Sequence, residues 1–368
     1  MKISVVFGTR PEVIKLALLI KELEKRDNIT LDVCFTGQHK EMVLPLIDFF
    51  ELKINSYLDL MQPNQTLSSL TARTITAMDG YFNEVKPDVV IVQGDTTTAM
   101  SAALTAFYHK VKVAHVEAGL RTHNMLSPFP EEMNRSVISL IAGINYAPTK
   151  MASQNLEKEG VNADNILVSG NTVIDALFFT LEKVKQNKEY KVDYTNGEKI
   201  VLITGHRREN FGDGFENICF AIKALAEKYQ DFQFIYPVHL NPNVQEPVRR
   251  ILNGAKNIKL IPPVDYIQFT QLMEASYLIL TDSGGIQEEA PSIGKPVLVM
   301  RDTTERPEAV LAGAAKLVGT DKDEIIENVS RLIDSEDAYN KMSQVMNPFG
   351  DGTASRKIAD HLLMDSRS

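Results

Sequence analysis

Short apolar runs alternate along the chain with longer segments in which apolar residues recur at helical spacing. This alternation predicts strand–helix–strand units, and therefore parallel sheets with helices on both faces. Both halves of the chain carry the pattern, so we predict an α/β protein with two Rossmann-like domains. The predicted strands are Ile3–Phe7, Leu31–Phe35, Val89–Val92, Val111–Val116 and Asn145–Ala147 in the first half, and Ile200–Thr204, Phe232–Pro237, Ile258–Leu260, Tyr277–Thr281 and Val297–Met300 in the second.

The length of the chain and a polar interruption near its middle indicate where the two domains meet. The chain has 368 residues, which exceeds the usual size of a single core, because domains contain about 100 to 200 residues. A predicted helix at 171–188 is followed by a stretch at 187–199 that is rich in Lys, Asn, Tyr and Glu. We predict an N-terminal domain at 1–168 and a C-terminal domain at 169–351.

Charge and cysteine content exclude several classes of partner. The formal net charge is −9, whereas nucleic acids and anionic membranes bind proteins through basic surfaces. We therefore expect no nucleic-acid partner and no membrane association. Cys34 and Cys219 form no CxxC or metal-ligand spacing, and the apolar run Ile3–Phe7 is too short for a signal peptide. A cytoplasmic protein is expected.

Unusual polar residues follow five of the predicted strands. Ligands bind beyond the carboxyl ends of the strands in open parallel sheets, so these segments are the first places to look for a site. Each alone is also typical of a tight strand–helix turn, where Gly, Thr, Asp and Pro serve as caps or adopt left-handed backbone. Together they favour a ligand site: GTRP at 8–11, GDTTT at 94–98, EAGLR at 117–121, GHRREN at 205–210 and DSGG at 282–285.

The turn after the first strand has the features of an anion site. Pro11 suits the first position of a helix, and Gly8 permits close approach to the backbone, so free N–H groups are expected there. Arg10 adds a guanidinium that matches phosphate oxygens, and Lys15 adds a further charge. A solvated Lys15 on a helix face is the alternative.

A second turn of small residues, Ser283, Gly284 and Gly285, precedes a predicted helix and indicates a diphosphate site. Glu288 and Glu289 could complement the helix dipole, but a carboxylate one turn beyond a phosphate site also suits hydrogen bonds to ribose hydroxyls. Arg306 is either another phosphate contact or an exposed loop charge, and the sequence does not separate these two.

Four residues are candidates for acid–base chemistry: Asp95, Glu117, Glu131 and His206, with His115 and Glu132 as neighbours. Asp95 could instead cap the following helix, and Glu131 could be a first-turn acid. Glu117 ends a buried-looking strand, where an unpaired carboxylate is costly. The chain has no GxGxxG after its first strand and no metal-ligand spacing, so we expect no bound cofactor and no metal.

Taken in order, the motifs resemble those of the non-hydrolysing UDP-N-acetylglucosamine 2-epimerases of bacteria. They are FGTRPE, GQH at 37–39, GDTTT, HVEAGLR, PFPEEMNR at 128–135, GHRRENFG, TDSGGIQEEAPS, RDTTERPEA at 301–309 and NPFGDGTAS at 347–355. The resemblance covers nearly the whole chain. It implies the GT-B fold, with the active site in the cleft between two domains and a C-terminal helix, 352–366, that packs on the first domain.

The resemblance also implies roles for individual residues. Asp95, Glu117, Glu131 and His206 would form the catalytic set. The substrate would be held by Arg10, Lys15, Phe269 near the uracil, Ser283, Gly284, Gly285, Glu289 at the ribose and Arg306. A second UDP-N-acetylglucosamine would activate the enzyme at a regulatory site that includes Gln38, His39 and Gln65, although Asn64 stands where some relatives carry Arg. We also expect a homodimer.

The implied reaction converts UDP-N-acetylglucosamine to UDP-N-acetylmannosamine for surface polysaccharides. The C2 hydrogen is not next to a carbonyl, so UDP must leave before or as a base removes that proton. This gives 2-acetamidoglucal, and re-addition of UDP with protonation on the other face completes the inversion. A glycosyltransferase, a hydrolysing epimerase and an inactive sugar-nucleotide sensor are the alternatives.

Overall fold

A computed structural model of the chain describes residues 1–62, 65–190 and 197–365. The chain divides into two compact units. Unit 1 comprises Met1–Ala176 and Phe349–Ser368, and unit 2 comprises Leu177–Pro348. Asn64 and much of the polar stretch predicted at 187–199 lie outside the described residues.

Unit 1 contains a parallel sheet that is seven strands wide in its described part, in the order β3-β2-β1-β4-β5-β6-β7. The strands are β1 Lys2–Phe7, β2 Thr30–Phe35, β3 Ser56–Tyr57, β4 Val89–Gln93, β5 Lys112–Val116, β6 Ile144–Ala147 and β7 Ile166–Val168. The helices are α1 Arg10–Glu24, α2 Lys40–Phe50, α3 Leu67–Val85, α4 Thr97–Tyr108, α5 Glu131–Ile141, α6 Lys150–Lys158 and α7 Thr172–Gln186, which runs on into unit 2.

Unit 2 contains a second parallel sheet, with six described strands in the order β10-β9-β8-β11-β12-β13. They are β8 Lys199–Thr204, β9 Phe232–Pro237, β10 Ile258–Ile261, β11 Ser276–Thr281, β12 Val297–Val299 and β13 Ala315–Leu317. Its helices are α8 Asp213–Lys228, α9 Pro242–Leu252, α10 Tyr266–Ala275, α11 Gly284–Glu289, α12 Pro307–Leu311, α13 Lys322–Asp334 and α14 Glu336–Ser343.

The last helix, α15 (Ala354–Asp365), belongs to unit 1 and packs on α1. Its first turn is held by Asp175 of α7, whose carboxylate accepts the backbone N–H groups of Ala354 at 3.2 Å and Ser355 at 2.8 Å. This contact satisfies N–H groups that have no partner within the helix. Arg26, which follows α1, donates to Asp360 at 2.6 Å.

The ten predicted strands are all present, and each end differs from its predicted position by at most one residue. The sequence analysis missed β3, β7 and β13, which have two or three residues each and are too short to show a period. The predicted α/β class is confirmed. Among the described residues, no helix has the length and apolar character needed to cross a membrane.

Candidate active site

Four of the five predicted site turns lie at the points where strand order reverses. In unit 1 the reversal falls between β1 and β4, and in unit 2 between β8 and β11. The carboxyl ends of these strands carry the turns that begin at Gly8, Gly94, Gly205 and Asp282. Crevices form at such reversals, so topology places these motifs where α/β proteins bind ligands.

The predicted anion site at the turn after β1 needs a correction. Its free N–H groups are already used within the protein: Glu12 Oε2 accepts the amides of Gly8 at 3.0 Å and Thr9 at 2.7 Å. Glu12 Oε1 accepts the Thr96 hydroxyl at 2.8 Å. Glu12 therefore ties together the turns that carry Arg10 and Asp95, and the amides of Gly8 and Thr9 bind no external anion.

Gly8 is required for packing. A Cβ there would lie 2.2 Å from Thr36 Oγ1 and 3.1 Å from Thr98 Oγ1, so any side chain would push the turns apart. Arg10, two residues further on at the start of α1, is exposed and remains available to a ligand.

Lys15 and Glu117 form an ion pair. Lys15 Nζ lies 2.5 Å from Glu117 Oε2, and both side chains are largely buried, so Lys15 is not a solvated charge. Gln93, the last residue of β4, donates from Nε2 to the same oxygen at 2.6 Å. Glu117 adopts φ 66°, a left-handed conformation that is strained for a residue with a side chain. Two donors thus orient a carboxylate on strained backbone.

Asp95 is not the cap of α4. Thr96 has that role, since its hydroxyl accepts the amide of Ala99 at 2.9 Å. The Asp95 carboxylate instead pairs with Arg135 of α5, with Oδ2 2.5 Å from Nη2 and 3.1 Å from Nε. Burial raises the pKa of Asp95; Arg135 opposes this shift, whereas the nearby charge of Glu117 adds to it.

Glu131 and Glu132 begin α5 and have different surroundings. Glu131, at the first position after Pro130, is half-buried, as expected of a first-turn acid. Glu132 is buried; it accepts the amides of Thr122 at 3.1 Å and His123 at 2.8 Å and pairs with Arg135 at 3.2 Å. Glu132 therefore fixes the loop before α5, and Glu131 is the acid at the surface of this site.

His206 of unit 2 lies over a buried carboxylate. Asp282 Oδ2 accepts the amides of His206 and Arg207, each at 2.7 Å, and Oδ1 lies 3.5 Å from His206 Nδ1. The imidazole stacks on that of His239, with ring centroids 5.2 Å apart. Burial lowers the pKa of His206, Asp282 opposes this shift, and His239 and Arg207 add to it. His239 Nδ1 accepts the Asn241 amide at 3.1 Å, so His239 holds the turn before α9.

The turn of small residues after β11 is bordered by an arginine. Ser283 is the N-cap of α11, and Arg306 lies beside Gly284, where a Cβ would be in van der Waals contact with Cζ at 3.8 Å. Arg306 Nε donates to the buried Glu288. Arg306 is thus fixed by an ion pair beside the N-terminus of α11, and the alternative of an exposed loop charge is wrong. Glu289 and Phe269 are half-buried.

The residues predicted for a regulatory site lie in unit 1. Gln38 Oε1 accepts the Thr98 hydroxyl at 2.6 Å, and the His39 amide donates to the Gly8 carbonyl at 2.9 Å. Burial, with Arg10 nearby, lowers the pKa of His39. The Gln65 carboxamide accepts from Arg73 of α3. Gln38 and His39 therefore adjoin the Arg10 turn.

Comparison with known proteins places the chain in a family. The family model for UDP-N-acetylglucosamine 2-epimerase matches residues 21–363. A UDP-N-acetylglucosamine 2-epimerase of Campylobacter jejuni is 51% identical, over 98% of this chain and 97% of its own length. The Neisseria meningitidis UDP-GlcNAc 2-epimerase bound to UDP-GlcNAc has a TM-score of 0.91 at 49% identity, covering 99% of this chain and 100% of that one. The Methanocaldococcus jannaschii UDP-GlcNAc 2-epimerase in complex with UDP-GlcNAc and UDP has a TM-score of 0.82 at 35% identity. The match covers 99% of this chain and 100% of that one.

The two parallel sheets, with polar turns at their carboxyl edges, define a GT-B-like protein of the α/β class. Within that class, the chain belongs to the UDP-N-acetylglucosamine 2-epimerase family. The family resemblance predicted from the motifs is confirmed.

Proposed function

We propose that this protein is a non-hydrolysing UDP-N-acetylglucosamine 2-epimerase that acts by eliminating and re-adding UDP. The observation that carries the proposal is the pair Asp95 and Glu117, two acidic side chains at the carboxyl edge of one sheet, each oriented by its own cation. Epimerisation by elimination needs groups that remove a proton from one face of the sugar and return one to the other. Relatives solved with UDP-GlcNAc bound support the choice of substrate.

Unit 2 would bind the UDP moiety. The first N–H groups of α11, at Gly284 and Gly285, face away from their own helix, and Arg306 adds a positive charge beside them. Glu289 would accept hydrogen bonds from the ribose hydroxyls, and Phe269 would contact the uracil. Arg10 of unit 1 would add a guanidinium for a phosphate oxygen.

The reaction begins with departure of UDP, which breaks the C1–O bond and leaves its electron pair on the diphosphate. Positive character at C1 acidifies the C2–H bond, so a carboxylate can take that proton while the C1=C2 double bond of 2-acetamidoglucal forms. Return of a proton to the opposite face of C2, with re-addition of UDP at C1, gives UDP-N-acetylmannosamine. Fixed positive groups at the diphosphate stabilise the leaving group throughout.

Within the proposed catalytic set, Glu117 is suited to accept the C2 proton. Lys15 and Gln93 both donate to its carboxylate and so stabilise the charged form. Asp95, whose pKa burial raises, is suited to hold and return a proton. Glu131 and His206 complete the set as further acid–base groups.

The test of this function is incubation with UDP-N-acetylglucosamine in D2O. We expect UDP-N-acetylmannosamine with deuterium at C2, because the abstracted proton exchanges with solvent before return. Mass spectrometry and proton NMR identify the product and its isotope. Free N-acetylmannosamine would indicate a hydrolysing enzyme. Transfer of the sugar with C2 unchanged would indicate a glycosyltransferase, and binding without reaction would indicate a sensor. Each of these outcomes contradicts the proposal.

The pH dependence of turnover should respond to Gln93→Glu. The new carboxylate would lie 2.6 Å from Glu117 in place of a donor, and neighbouring like charges favour protonation of the pair. A base that must be deprotonated then requires higher pH, so the acidic limb of the kcat/KM profile should move upward by about one pH unit. If the acidic limb of the kcat/KM profile does not move, Glu117 is not the base. Gln154→Glu, at an exposed position of α6 in unit 1, is the matched control.

A second UDP-N-acetylglucosamine would regulate the enzyme near Gln38, His39 and Gln65. The position of His39 beside the Arg10 turn supports this proposal, since a ligand there would alter the surroundings of Arg10. Initial velocity against substrate concentration should be sigmoidal, and His39→Ala should make it hyperbolic. Hyperbolic kinetics in the unmodified protein would contradict the regulatory site.

We further propose a cytoplasmic homodimer that supplies UDP-N-acetylmannosamine for surface polysaccharides. Apolar side chains from α3, α4 and the start of α5 line a surface pocket of about 540 Å³, and Leu67, Phe129 and Met133 are exposed. A second copy of the chain would remove this apolar surface from water. Sedimentation equilibrium should give twice the chain mass, and the monomer mass would contradict the dimer.

A further inference from the structure

His115 is a fully buried histidine that holds the turn before Asp95. It is the fourth residue of β5, and its Nε2 lies 2.7 Å from the carbonyl oxygen of Gly94. A carbonyl oxygen only accepts, so Nε2 must carry the hydrogen. Burial lowers the pKa of His115 to about 4, so the ring is neutral in the ordinary working range. The remaining nitrogen, Nδ1, is therefore an acceptor.

The carbonyl that His115 holds belongs to the peptide group joining Gly94 to Asp95. Gly94 adopts φ 68°, and its amide donates to the Val116 carbonyl at 2.9 Å. One residue on, the Asp95 carbonyl accepts from Asn134 Nδ2 at 2.8 Å. Consecutive main-chain groups of this turn are thus fixed from β5 and α5. Loss of the His115 bond would free the peptide plane that directs the Asp95 side chain toward Arg135.

A second buried polar side chain lies beside His115 in the sheet. Asn145 of β6 is the register partner of His115, so both side chains project from the same face of adjacent parallel strands, about 4.8 Å apart at the backbone. Asn145 is also fully buried. Neither His115 Nδ1 nor the two polar atoms of the Asn145 carboxamide hydrogen-bonds to a residue in the described part of the chain. Buried polar atoms are rarely left unpaired, and internal water is their usual partner at polar sites.

We propose that His115 is a positioning residue for Asp95, fixed in its Nε2–H tautomer by one buried water that bridges Nδ1 and the Asn145 carboxamide. The water donates to Nδ1 and to Asn145 Oδ1, and accepts from Asn145 Nδ2. This bridge gives Nδ1 a donor and so supports the Nε2–H tautomer that the Gly94 carbonyl requires. The inference rests on the catalytic role of Asp95 in the proposed function.

The tautomer can be measured independently of catalysis. In the full chain labelled with ¹⁵N-histidine, the His115 signals are those that disappear in His115→Phe. We expect a protonated Nε2 and an unprotonated Nδ1 with no titration between pH 6 and 9. Protonation at Nδ1, or a charged ring near pH 7, would overturn the proposal. This readout is unaffected if the protein proves not to be an epimerase.

Turnover tests the positioning role. His115→Phe keeps a ring of similar size but removes the donor, so kcat should fall about 10- to 100-fold, with KM and UDP affinity unchanged. His115→Gln places an amide nitrogen near the position of Nε2 and should recover most of the loss. Equal kcat for His115→Phe and the unmodified protein, or no rescue by glutamine, would overturn the role.

Asn145→Leu separates the water bridge from simple packing. If the bridge sets the tautomer, the Nδ1 signal shifts and kcat falls severalfold although Asn145 lies on a strand behind the site. If instead the variant becomes more stable while the imidazole signals and kcat stay unchanged, the bridge is overturned. Asn165→Leu, at the residue before β7 in the same unit and not paired with His115, is the control. If instead the proposed function is wrong, the unmodified protein shows no epimerisation, and the measured tautomer of His115 is unaffected.

Discussion

Replacing Glu117 by Gln is expected to lower turnover by about 10³-fold and to suppress deuterium exchange at C2, because the amide cannot accept the proton. The substitution should preserve the fold. A glutamine amide has one oxygen, which can still accept from Lys15 and Gln93 as Glu117 Oε2 does. UDP affinity, measured by calorimetry, should be unchanged because Glu117 is not among the proposed diphosphate contacts, which are the start of α11, Arg306 and Arg10.

The control for this substitution is Glu22→Gln, which alters a glutamate that pairs with Lys25 on the same unit, at the end of α1 away from the candidate site turns. It should retain normal exchange and turnover. A Glu117→Gln protein that exchanges the C2 hydrogen at the normal rate would show that another group removes the proton. A parallel loss of UDP affinity would mean that Glu117 contributes to binding of the whole substrate rather than to its chemistry.

The strands were predictable because parallel strands covered on both faces are continuous apolar runs. Ile3–Phe7 and Phe232–Pro237 are examples, and both are almost wholly buried. Strands of two or three residues, such as Ser56–Tyr57, carry no such run and take their place from pairing with a neighbour. Their positions depend on tertiary contacts that the local pattern does not contain.

The turns that carry the candidate site were predictable from topology, but their internal partners were not. Lys15 and Glu117 are 102 positions apart, and only the order of strands brings them together. The sequence analysis missed the partner roles of Gln93, Arg135 and Asp282 for the same reason. Each of them hydrogen-bonds to a residue that is distant in sequence.

One of these partners did have a local signal. Thr9 and Glu12 have the Thr-x-x-Glu spacing of a capping box, which predicts that Glu12 occupies the amides at the start of α1. The sequence analysis weighed Gly8 and Pro11 as signs of an anion site and gave no weight to Glu12. A capping box at a glycine turn is therefore evidence against free amides there.

Arg135→Met is expected to lower the free energy of unfolding by about 3 kcal/mol at pH 8, because it leaves two carboxylates without their shared cation in a poorly hydrated site. Arg135 is nearly buried and donates to Asp95 at 2.5 Å and Glu132 at 3.2 Å. Burial already raises the pKa of Asp95, and loss of Arg135 should raise it further. A group with a raised pKa in the folded state stabilises the fold at low pH and loses this contribution as pH rises through that pKa.

The loss in free energy of unfolding caused by Arg135→Met should therefore be smaller at pH 5 than at pH 8, because protonation of Asp95 removes the uncompensated charge. Urea unfolding followed by circular dichroism at both pH values measures this change. Arg250→Met is the matched control, since Arg250 also pairs with two glutamates, Glu216 and Glu246, but at an exposed position where solvent screens the pairs. It should leave the transition unchanged at either pH. If both variants unfold at the same urea concentration, the ion pairs of Arg135 contribute no stability. If Arg135→Met is destabilised equally at both pH values, Arg135 acts through packing alone, and Asp95 would need another group to hold it in place.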